Sequence, residues 1–201
     1  MRLANFLYRR AFVALACLGI AALVNLAAFT YPAEAKKESD NEAIYKHQSA
    51  YIYNFLSYIE WPSLVYSEEG IKNIELCIIG EDNLGKYIDY VARKALMPEA
   101  VNKKIKINVR RSVSPAEFAS CNMAYISSSE EKNIKAYLFE LTKYPVFTIS
   151  EIDDFADMGG ILEFDIRRGK QRFLINISAA KRANLKIAAE LLETAAEVVE
   201  K

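Results

Sequence analysis

Three aspartates stand directly ahead of a glycine pair in the stretch DDFADMGGILEF, residues 153–164. Clustered carboxylates can bind Ca²⁺, and glycine-rich loops can bind phosphate groups. The spacing suits neither site, because the acids do not alternate ahead of a distal glutamate and no lysine follows the glycines. Helix capping explains these residues better: Ser150 and Asp153 predict a helix start, Gly159 predicts its end, and Gly160 lets the chain turn into a strand.

Histidine-based chemistry is almost excluded, because His47 is the only histidine of the chain. A metal site rich in histidine cannot form, and a Ser-His-Asp triad would have to use this residue. His47 lies near the start of a predicted helix with no acid at a fixed spacing, which favours a solvated side chain. With no nucleophile, base, metal or cofactor motif recognisable, we expect a protein that is not an enzyme and carries no cofactor.

Two cysteines, Cys77 and Cys121, lie in predicted strands of the folded part. Cys77 lies inside the first strand, and Cys121 lies at the start of the third. These strands are often neighbours in a doubly wound sheet, where Cα atoms can approach within the ~4.4–6.8 Å that a disulfide requires. A disulfide is therefore expected, and the alternative is a pair of small buried thiols.

The first 35 residues differ in composition from the rest of the chain. Three arginines precede an apolar run over residues 11–29, and Ala33 and Ala35 match the small-residue pattern of a signal-peptidase site. We expect residues 1–35 to be a secretory signal that is cleaved. An uncleaved membrane anchor and a lipoprotein modified at Cys17 are the alternatives. All three place the folded part outside the cytoplasm.

The overall composition is that of an ordinary globular protein. The chain has 201 residues, of which 52% are hydrophobic, and Lys+Arg and Asp+Glu number 26 each. This balance excludes a global basic field for nucleic acid. The charged residues 36–43 are expected to form a flexible lead-in to a single domain over residues 44–201.

Helix and strand patterns alternate along this domain. A helical pattern over residues 44–61 ends at Pro62. Four strand patterns, each with a helical pattern after it, cover residues 74–79, 104–109, 122–126 and 146–149. Two further strands, residues 160–166 and 172–177, form a predicted hairpin, and residues 178–201 read as a terminal helix with an early interruption at Asn184. We therefore expect a three-layer α/β sandwich with a mixed, mostly parallel sheet.

Polar side chains follow the predicted parallel strands, at the end of the sheet where ligands bind in such folds. They are Glu81, Asp82, Ser127, Ser128 and Ser150. Hydroxyl groups and helix N-termini suit a small polar ligand. Helix capping explains the serines equally well, so both interpretations stay open.

The turn of the predicted hairpin carries a compact basic tip, Arg167, Arg168, Lys170 and Arg172. One interpretation is a solvated turn whose charges protect a sheet edge. The other is a contact with an acidic partner or with anionic headgroups.

Several motifs together resemble those of the YfiR/HmsC-type periplasmic regulators, in the same order and over about residues 45–199. The motifs are YIYNFLSYIEWP at 51–62, LCIIG at 76–80, CNMAYIS at 121–127, the FTIS…FADMGG segment at 147–160, RFLIN at 172–176 and the terminal RANLKIAAELLETA. The chain has Leu174 where the family often has glutamate, and this change bears on a partner surface.

The resemblance implies an exported, non-catalytic domain that binds the periplasmic sensor part of an inner-membrane diguanylate cyclase. Binding would repress the cyclase, or a related sensor kinase, and so lower cyclic di-GMP signalling and biofilm formation. The resemblance also implies that the chain can form a homodimer and that Cys77 and Cys121 can be oxidised. The alternative function is a periplasmic small-ligand-binding module linked to uptake.

Overall fold

The computed structural model describes residues 31–62, 67, 70–95, 105–167 and 170–201. The chain divides into two compact units between Ala43 and Ile44, and the strands all belong to the second unit. The strands are β1 (Ile59–Glu60), β2 (Lys72–Ile79), β3 (Ile105–Arg110), β4 (Met123–Ile126), β5 (Phe147–Ser150), β6 (Leu162–Arg167), β7 (Lys170–Asn176), β8 (Lys186–Ile187) and β9 (Glu197–Val199). The α-helices are α1 (Tyr31–Phe55), α2 (Gly85–Lys94), α3 (Ile134–Leu141), α4 (Ile177–Arg182) and α5 (Ala189–Thr194). Two 3₁₀ helices cover Pro115–Ser120 and Ser128–Asn133.

Seven strands form one mixed sheet in the order β3-β2-β4-β5-β6-β7-β9. Strands β2 to β6 are parallel, β6 and β7 form an antiparallel hairpin, and β9 adds parallel to β7. The chain leaves β2 for β3 on one side and then returns to β4 on the other. This reversal of strand order is the topological switch point at which such sheets bind ligands. The predicted fold class is confirmed.

The sheet is buried on both faces, as strand β2 illustrates. Leu76 and Ile78 lie in one hydrophobic core, while Cys77 and Ile79 lie in the other. Successive residues of a strand point to opposite faces, so an all-apolar strand supplies both cores at once. The four residues are at most 2% exposed, so strand β2 is covered on both of its faces.

The first helix differs in extent from its prediction. Helix α1 begins at Tyr31, so it includes the residues expected to form a flexible lead-in, and it ends at Phe55 instead of residue 61. After Phe55 the chain turns, and Ile59 pairs with Ile187 in the small antiparallel sheet of β1 and β8. The last predicted helical turn is replaced by strand pairing with a segment more than a hundred residues away. The spacing of apolar residues within the helix gives no information about such a distant partner.

The terminal helix predicted over residues 178–201, with an early interruption at Asn184, forms only in part. This segment contains α4, β8, α5 and β9, and Asn184 has a φ of 56°, in the left-handed region. The Asn184 interruption was foreseen, but the two strands were not. Their backbone groups bond to β1 and β7, so long-range pairing overrides a helical pattern of apolar residues.

The glycine pair of DDFADMGG is explained, but the helix predicted ahead of it does not form. Hydrogen-bonded turns occupy residues 152–159, with φ of 60° at Asp154 and 103° at Gly159. The hydroxyl of Ser150 accepts a hydrogen bond from Ile152 N at 3.1 Å, within a turn and not at a helix start. A Cβ on Gly160 would overlap the buried ring of Phe155, so this glycine is required by close packing.

A buried carboxyl group lies beside this turn. Glu163, in β6, is 8% exposed, and its Oε2 accepts a hydrogen bond from Ala156 N at 3.0 Å. Burial raises the pKa of the Glu163 carboxyl, the bond from Ala156 opposes this, and Asp154, Asp165 and Asp153 add to the rise. The charged form is therefore disfavoured in the folded protein.

We expect Glu163→Gln to stabilise the protein at neutral pH. The amide oxygen keeps the bond from Ala156 N, while the buried charge disappears. Because the folded pKa is raised, wild-type stability falls as pH rises from the ordinary carboxyl range through the folded pKa. The ordinary pKa of a carboxyl group is ~4. Urea midpoints of wild type and variant should therefore coincide near about pH 4 and separate toward about pH 7.5, with the variant more stable.

The exposed Asp153 provides the control, because Asp153→Asn removes a charge of the same sign without relieving burial. It should change the midpoint far less than Glu163→Gln. A Glu163→Gln variant that is less stable than wild type at pH 7.5 would show that the carboxylate is bound favourably in the fold.

Candidate functional site

The disulfide joins strand β2 to the segment that leads into β4. Cys77 of β2 is bonded to Cys121, which lies two residues ahead of β4, with their Cα atoms 5.9 Å apart, and the prediction is confirmed. The next residue, Asn122, accepts a hydrogen bond from Glu75 N on its side-chain oxygen at 2.9 Å. Its carbonyl oxygen accepts one from Trp61 Nε1 at 3.0 Å. The disulfide therefore lies beside a residue that connects β2 to the segment after β1.

The hairpin of β6 and β7 rests on a group of aromatic rings. Tyr51 and Phe55 of α1 contact Phe164 and Phe173, and the Phe55 and Phe173 ring centroids are 4.9 Å apart. Phe164 and Phe173 are paired across the hairpin, so both rings point to the same face. Aromatic pairs of this kind add about 0.5–1.5 kcal/mol each beyond their buried area. This packing fixes the position of the hairpin tip.

The tip of the hairpin combines an apolar side chain with an unpaired amide. Ile166 is 45% exposed, although it is large and apolar. Its cross-strand partner is Gln171, whose side-chain nitrogen and oxygen are both buried without a hydrogen-bond partner. A buried amide without partners typically costs about 1–3 kcal/mol. The accessible group on this face of the tip is therefore the apolar side chain of Ile166.

Of the predicted basic tip, Lys170 is exposed, and Arg172 forms a salt bridge with Asp165 at 3.1 Å. Arg167 ends β6, and Arg168 lies outside the described residues. Leu174, which is half-buried, pairs with Glu163 and shares a face of the hairpin with Arg172. The structure therefore brings the predicted residues Arg172 and Leu174 together.

A second polar group occupies the switch point, at the carboxyl ends of β2, β4 and β5. The side-chain nitrogen of Asn83 donates to Ser127 Oγ at 3.2 Å and to Glu151 Oε1 at 3.0 Å. Ser128 Oγ also donates to Glu151 Oε1, at 3.0 Å. Three loops that are distant in sequence therefore meet at one carboxylate. We call this group, completed by Tyr125 and Gln48, the switch-point cluster.

The other residues predicted for this end of the sheet have local roles. Asp82 accepts from Gly85 N at 2.8 Å, at the start of α2, and forms a salt bridge with Arg111 at 2.6 Å. Ser150 is fully buried and donates to Ile126 O at 2.7 Å. Glu81 is exposed. Ser127, and not Ser128, caps the 3₁₀ helix by accepting from Ser129 N.

The switch-point cluster includes a buried tyrosine that contacts Gln48 of α1. The Tyr125 hydroxyl lies 2.9 Å from Glu151 Oε2 and 3.3 Å from Gln48 Oε1. Burial raises the pKa of Tyr125 well above its ordinary value, and the nearby Glu151 charge adds to this. Gln48 is fully buried, yet its side-chain nitrogen has no hydrogen-bond partner.

The strand-end rule predicts the loop that contains Glu151, directly after Ser150, but it does not predict Gln48. The sequence signal for Gln48 is its position four residues from Ile44 and from Ile52, on the apolar stripe of α1. A polar residue on an apolar stripe is buried with a partner or a function.

The single histidine, His47, is exposed, as its solvated interpretation expects. Within the described residues, no group of three His, Cys, Asp or Glu side chains is placed to hold a metal ion. Nor does that part of the chain contain a helix long and apolar enough to cross a membrane.

The profile of one protein family, described as YfiR/HmsC-like, matches residues 45–196. No curated protein matches the sequence. Two solved structures are similar at low level: a conserved domain protein from Vibrio cholerae O1 biovar El Tor N16961 (TM-score 0.45) and the ABC domain, in complex with L-Trp, from Streptococcus pneumonia (TM-score 0.44). Each is 10% identical over 67% of this chain, which spans 57% of the length of each structure.

Proposed function

Because the chain belongs to the YfiR/HmsC-like family, we propose that it is an exported regulator of a membrane signalling protein. It binds the periplasmic sensor part of an inner-membrane diguanylate cyclase, or of a related sensor kinase, and represses it. Cyclic di-GMP signalling and biofilm formation fall as a result. The observation that carries the proposal is the family match over residues 45–196, nearly the whole of the unit over residues 44–201.

The proposal assigns no catalytic role, because the family is generally regulatory. It places the protein in the periplasm after removal of residues 1–35, of which residues 1–30 lie outside the described part. N-terminal sequencing of protein recovered from the periplasmic fraction tests the cleavage and should begin at Lys36. An intact N-terminus on protein in the membrane fraction would favour the anchor instead.

The tip of the hairpin is the proposed partner surface. Ile166 offers exposed apolar area, and the exposed Lys170 and Arg172 supply positive charge on the opposite face of the same tip. Apolar contact at the centre of a patch and charge at its rim are typical of protein interfaces. Positive charge at the rim favours an acidic surface on the partner and speeds its encounter.

We expect acidic substitutions at this tip to weaken capture of the partner strongly. Tagged wild-type protein, purified from detergent-solubilised membranes, should retain one inner-membrane protein that carries a cyclase or kinase domain. The double variant Ile166→Glu/Lys170→Glu should retain at least about tenfold less, because like charges at a contact are repelled by several kcal/mol. Both side chains are exposed, so the fold should not change.

The matched control is Lys106→Glu, at an exposed position of β3 on the other edge of the sheet. It should leave capture of the partner unchanged. Wild type, the double variant and this control should all have the same thermal midpoint. Equal capture by the double variant and the control would remove the hairpin from the proposal.

A second candidate function, binding of a small ligand in the periplasm, is favoured by the polar groups of three loops that meet at Glu151. It does not exclude the first, because the switch-point cluster and the hairpin tip involve different residues. The homodimer stays a prediction, which light scattering of the purified protein tests.

A further inference from the structure

The outer side of helix α2 carries cations around an exposed tyrosine. The exposed residues of this helix are Lys86, Tyr90, Arg93 and Lys94. Because successive residues are turned by about 100°, these four fall within an arc of about 100°, opposite the buried Ile88. Ile88 lies in the same core as residues of β3, so that side of the helix faces the sheet. The four exposed residues form one continuous surface, which we call the α2 face.

Tyr90 lies at the centre of the α2 face and is 54% exposed. The Lys94 ammonium lies 5.4 Å from the centroid of its ring, and more than half of the side chain still meets solvent. A single exposed aromatic residue needs no explanation. Here, however, Lys86 and Lys94 stand four residues before and after the ring, so all three side chains lie side by side along the helix.

The positive charge of the α2 face has no explanation in the stability of the helix. The helix dipole favours cations in the last turn, which accounts for Arg93 and Lys94, but it disfavours Lys86 in the first turn. Neither Arg93 nor Lys94 forms a salt bridge with another described residue. The one acid of α2, Asp89, is half-buried and bound to Arg111 at 2.8 Å.

Helix α3 has the same spacing of residues but less positive charge. Lys135 and Lys143 stand four residues before and after the exposed Phe139, but Lys143 is bound to Glu140 at 2.6 Å. Buried residues of α3 lie in the second core, so α2 and α3 cover opposite faces of the sheet. One flat surface therefore cannot contact both helices, and the α2 face is the one with uncompensated cations.

A lipid surface suits the composition of the α2 face better than a protein partner does. Protein interfaces are poor in lysine. Lysine and tyrosine occur together where proteins meet lipid headgroups, because the ring lies at headgroup level and the lysine stem extends past it. Three cations beside an anionic surface strengthen binding on the order of a hundredfold. They span about 12 Å of the helix axis, so they reach the same few headgroups.

We propose that the α2 face binds the anionic phospholipid surface of a membrane. Tyr90 lies among the headgroups, and Lys86, Arg93 and Lys94 contact their phosphate groups. This inference goes beyond the proposed regulatory function and does not depend on it, because lipid binding needs no partner protein. If the regulatory function also holds, the contact keeps the protein at the surface where its partner lies and raises its effective concentration there.

Cosedimentation with lipid vesicles tests the inference. Protein purified from the periplasmic fraction should bind vesicles of an equal mixture of phosphatidylethanolamine and phosphatidylglycerol at least about tenfold more tightly than phosphatidylcholine vesicles. Raising NaCl from about 50 mM to about 500 mM should release it, because salt screens exposed charges. Equal binding to the two kinds of vesicle, or no binding to the anionic one, would overturn the inference.

A triple variant locates the contact. Lys86→Gln/Arg93→Gln/Lys94→Gln should bind the anionic vesicles at least about tenfold less tightly, because it removes all three cations of the α2 face. Glutamine is a good helix former and the three positions are exposed, so the thermal midpoint should stay that of wild type.

The matched control removes the same number of cations from exposed positions in and around α3, on the opposite face of the sheet: Lys132→Gln/Lys135→Gln/Lys143→Gln. It should bind the anionic vesicles nearly as tightly as wild type does. An equal loss of binding in the two triple variants would show that only net charge matters, and it would remove the α2 face from the account.

The lipid contact and the hairpin contact can fail separately. The hairpin variant Ile166→Glu/Lys170→Glu should lose partner capture and keep its binding to anionic vesicles, because α2 is unchanged. An α2 triple variant that binds vesicles as wild type does, yet loses capture of the membrane signalling protein, would overturn the lipid contact and indicate an acidic protein surface instead.

Discussion

Replacing both Cys77 and Cys121 by alanine is expected to lower the free energy of unfolding by about 4 kcal/mol. The disulfide joins residues 44 positions apart, and chain-entropy theory gives roughly this value for a loop of that length. Cys77 is 0% exposed and Cys121 is 3% exposed, so loss of the two sulfur atoms also removes packing contacts from the core. This is a large part of the ~5–15 kcal/mol that usually stabilises a domain.

Urea unfolding followed by the fluorescence of Trp61 measures this loss, because Trp61 is the single tryptophan of the chain. Its indole nitrogen donates to Asn122 O, next to Cys121, so its emission reports on the region beside the bond. Reductant should destabilise the wild type and leave the double alanine variant unchanged. A loss under about 1 kcal/mol would show that the bond restrains the unfolded chain little.

Lys72→Met is expected to destabilise the protein by about 3 kcal/mol, since it leaves two buried carbonyls without a donor. Lys72 is 8% exposed, and its ammonium group donates to Leu56 O at 2.9 Å and to Ile59 O at 2.8 Å. It also lies 4.7 Å from the ring centroid of Trp61. These bonds hold the turn between α1 and β1.

Burial lowers the pKa of Lys72, and the Glu60 charge opposes this. Methionine keeps most of the volume of the side chain, so the measured loss reflects the polar bonds. Lys106→Met, at an exposed strand position, is the control and should change stability by less than about 0.5 kcal/mol. Equal urea midpoints for the two variants would contradict the role given to Lys72.

The sheet could be predicted from sequence because its central strands carry their signal locally. LCII at residues 76–79 is apolar throughout, which is typical of a strand with helices on both faces, and the next strands follow the same rule. The neighbouring positions of β2 and β4, and hence the disulfide, follow from the alternation of strand and helix. These inferences need only short windows of sequence.

The terminal segment could not be predicted in this way. Its apolar residues have helical spacing, but β8 and β9 form because the edges of β1 and β7 offer unpaired backbone groups. Such groups are visible only in three dimensions. The same limit applies to DDFADMGG, where packing of Gly160 on Phe155 determines the conformation more than the aspartates do.

The candidate sites could be predicted only in part, because some of their contacts depend on which strands are neighbours in the sheet. Ser127 and Ser128 follow from the rule that ligands bind at strand ends. Glu151 joins them only because β4 and β5 are neighbours in register, with Ile126 opposite Ser150. At the hairpin, charge was visible in the sequence, but the exposure of Ile166 was not.

The most direct test of the proposed function is the cyclic di-GMP level of cells that lack this protein. Deletion should raise the level, and wild-type protein supplied in trans should restore it. The Ile166→Glu/Lys170→Glu variant should fail to restore it at equal periplasmic abundance, whereas Lys106→Glu should succeed. A cyclic di-GMP level and sensor-kinase output that both stay unchanged on deletion would contradict the regulatory function.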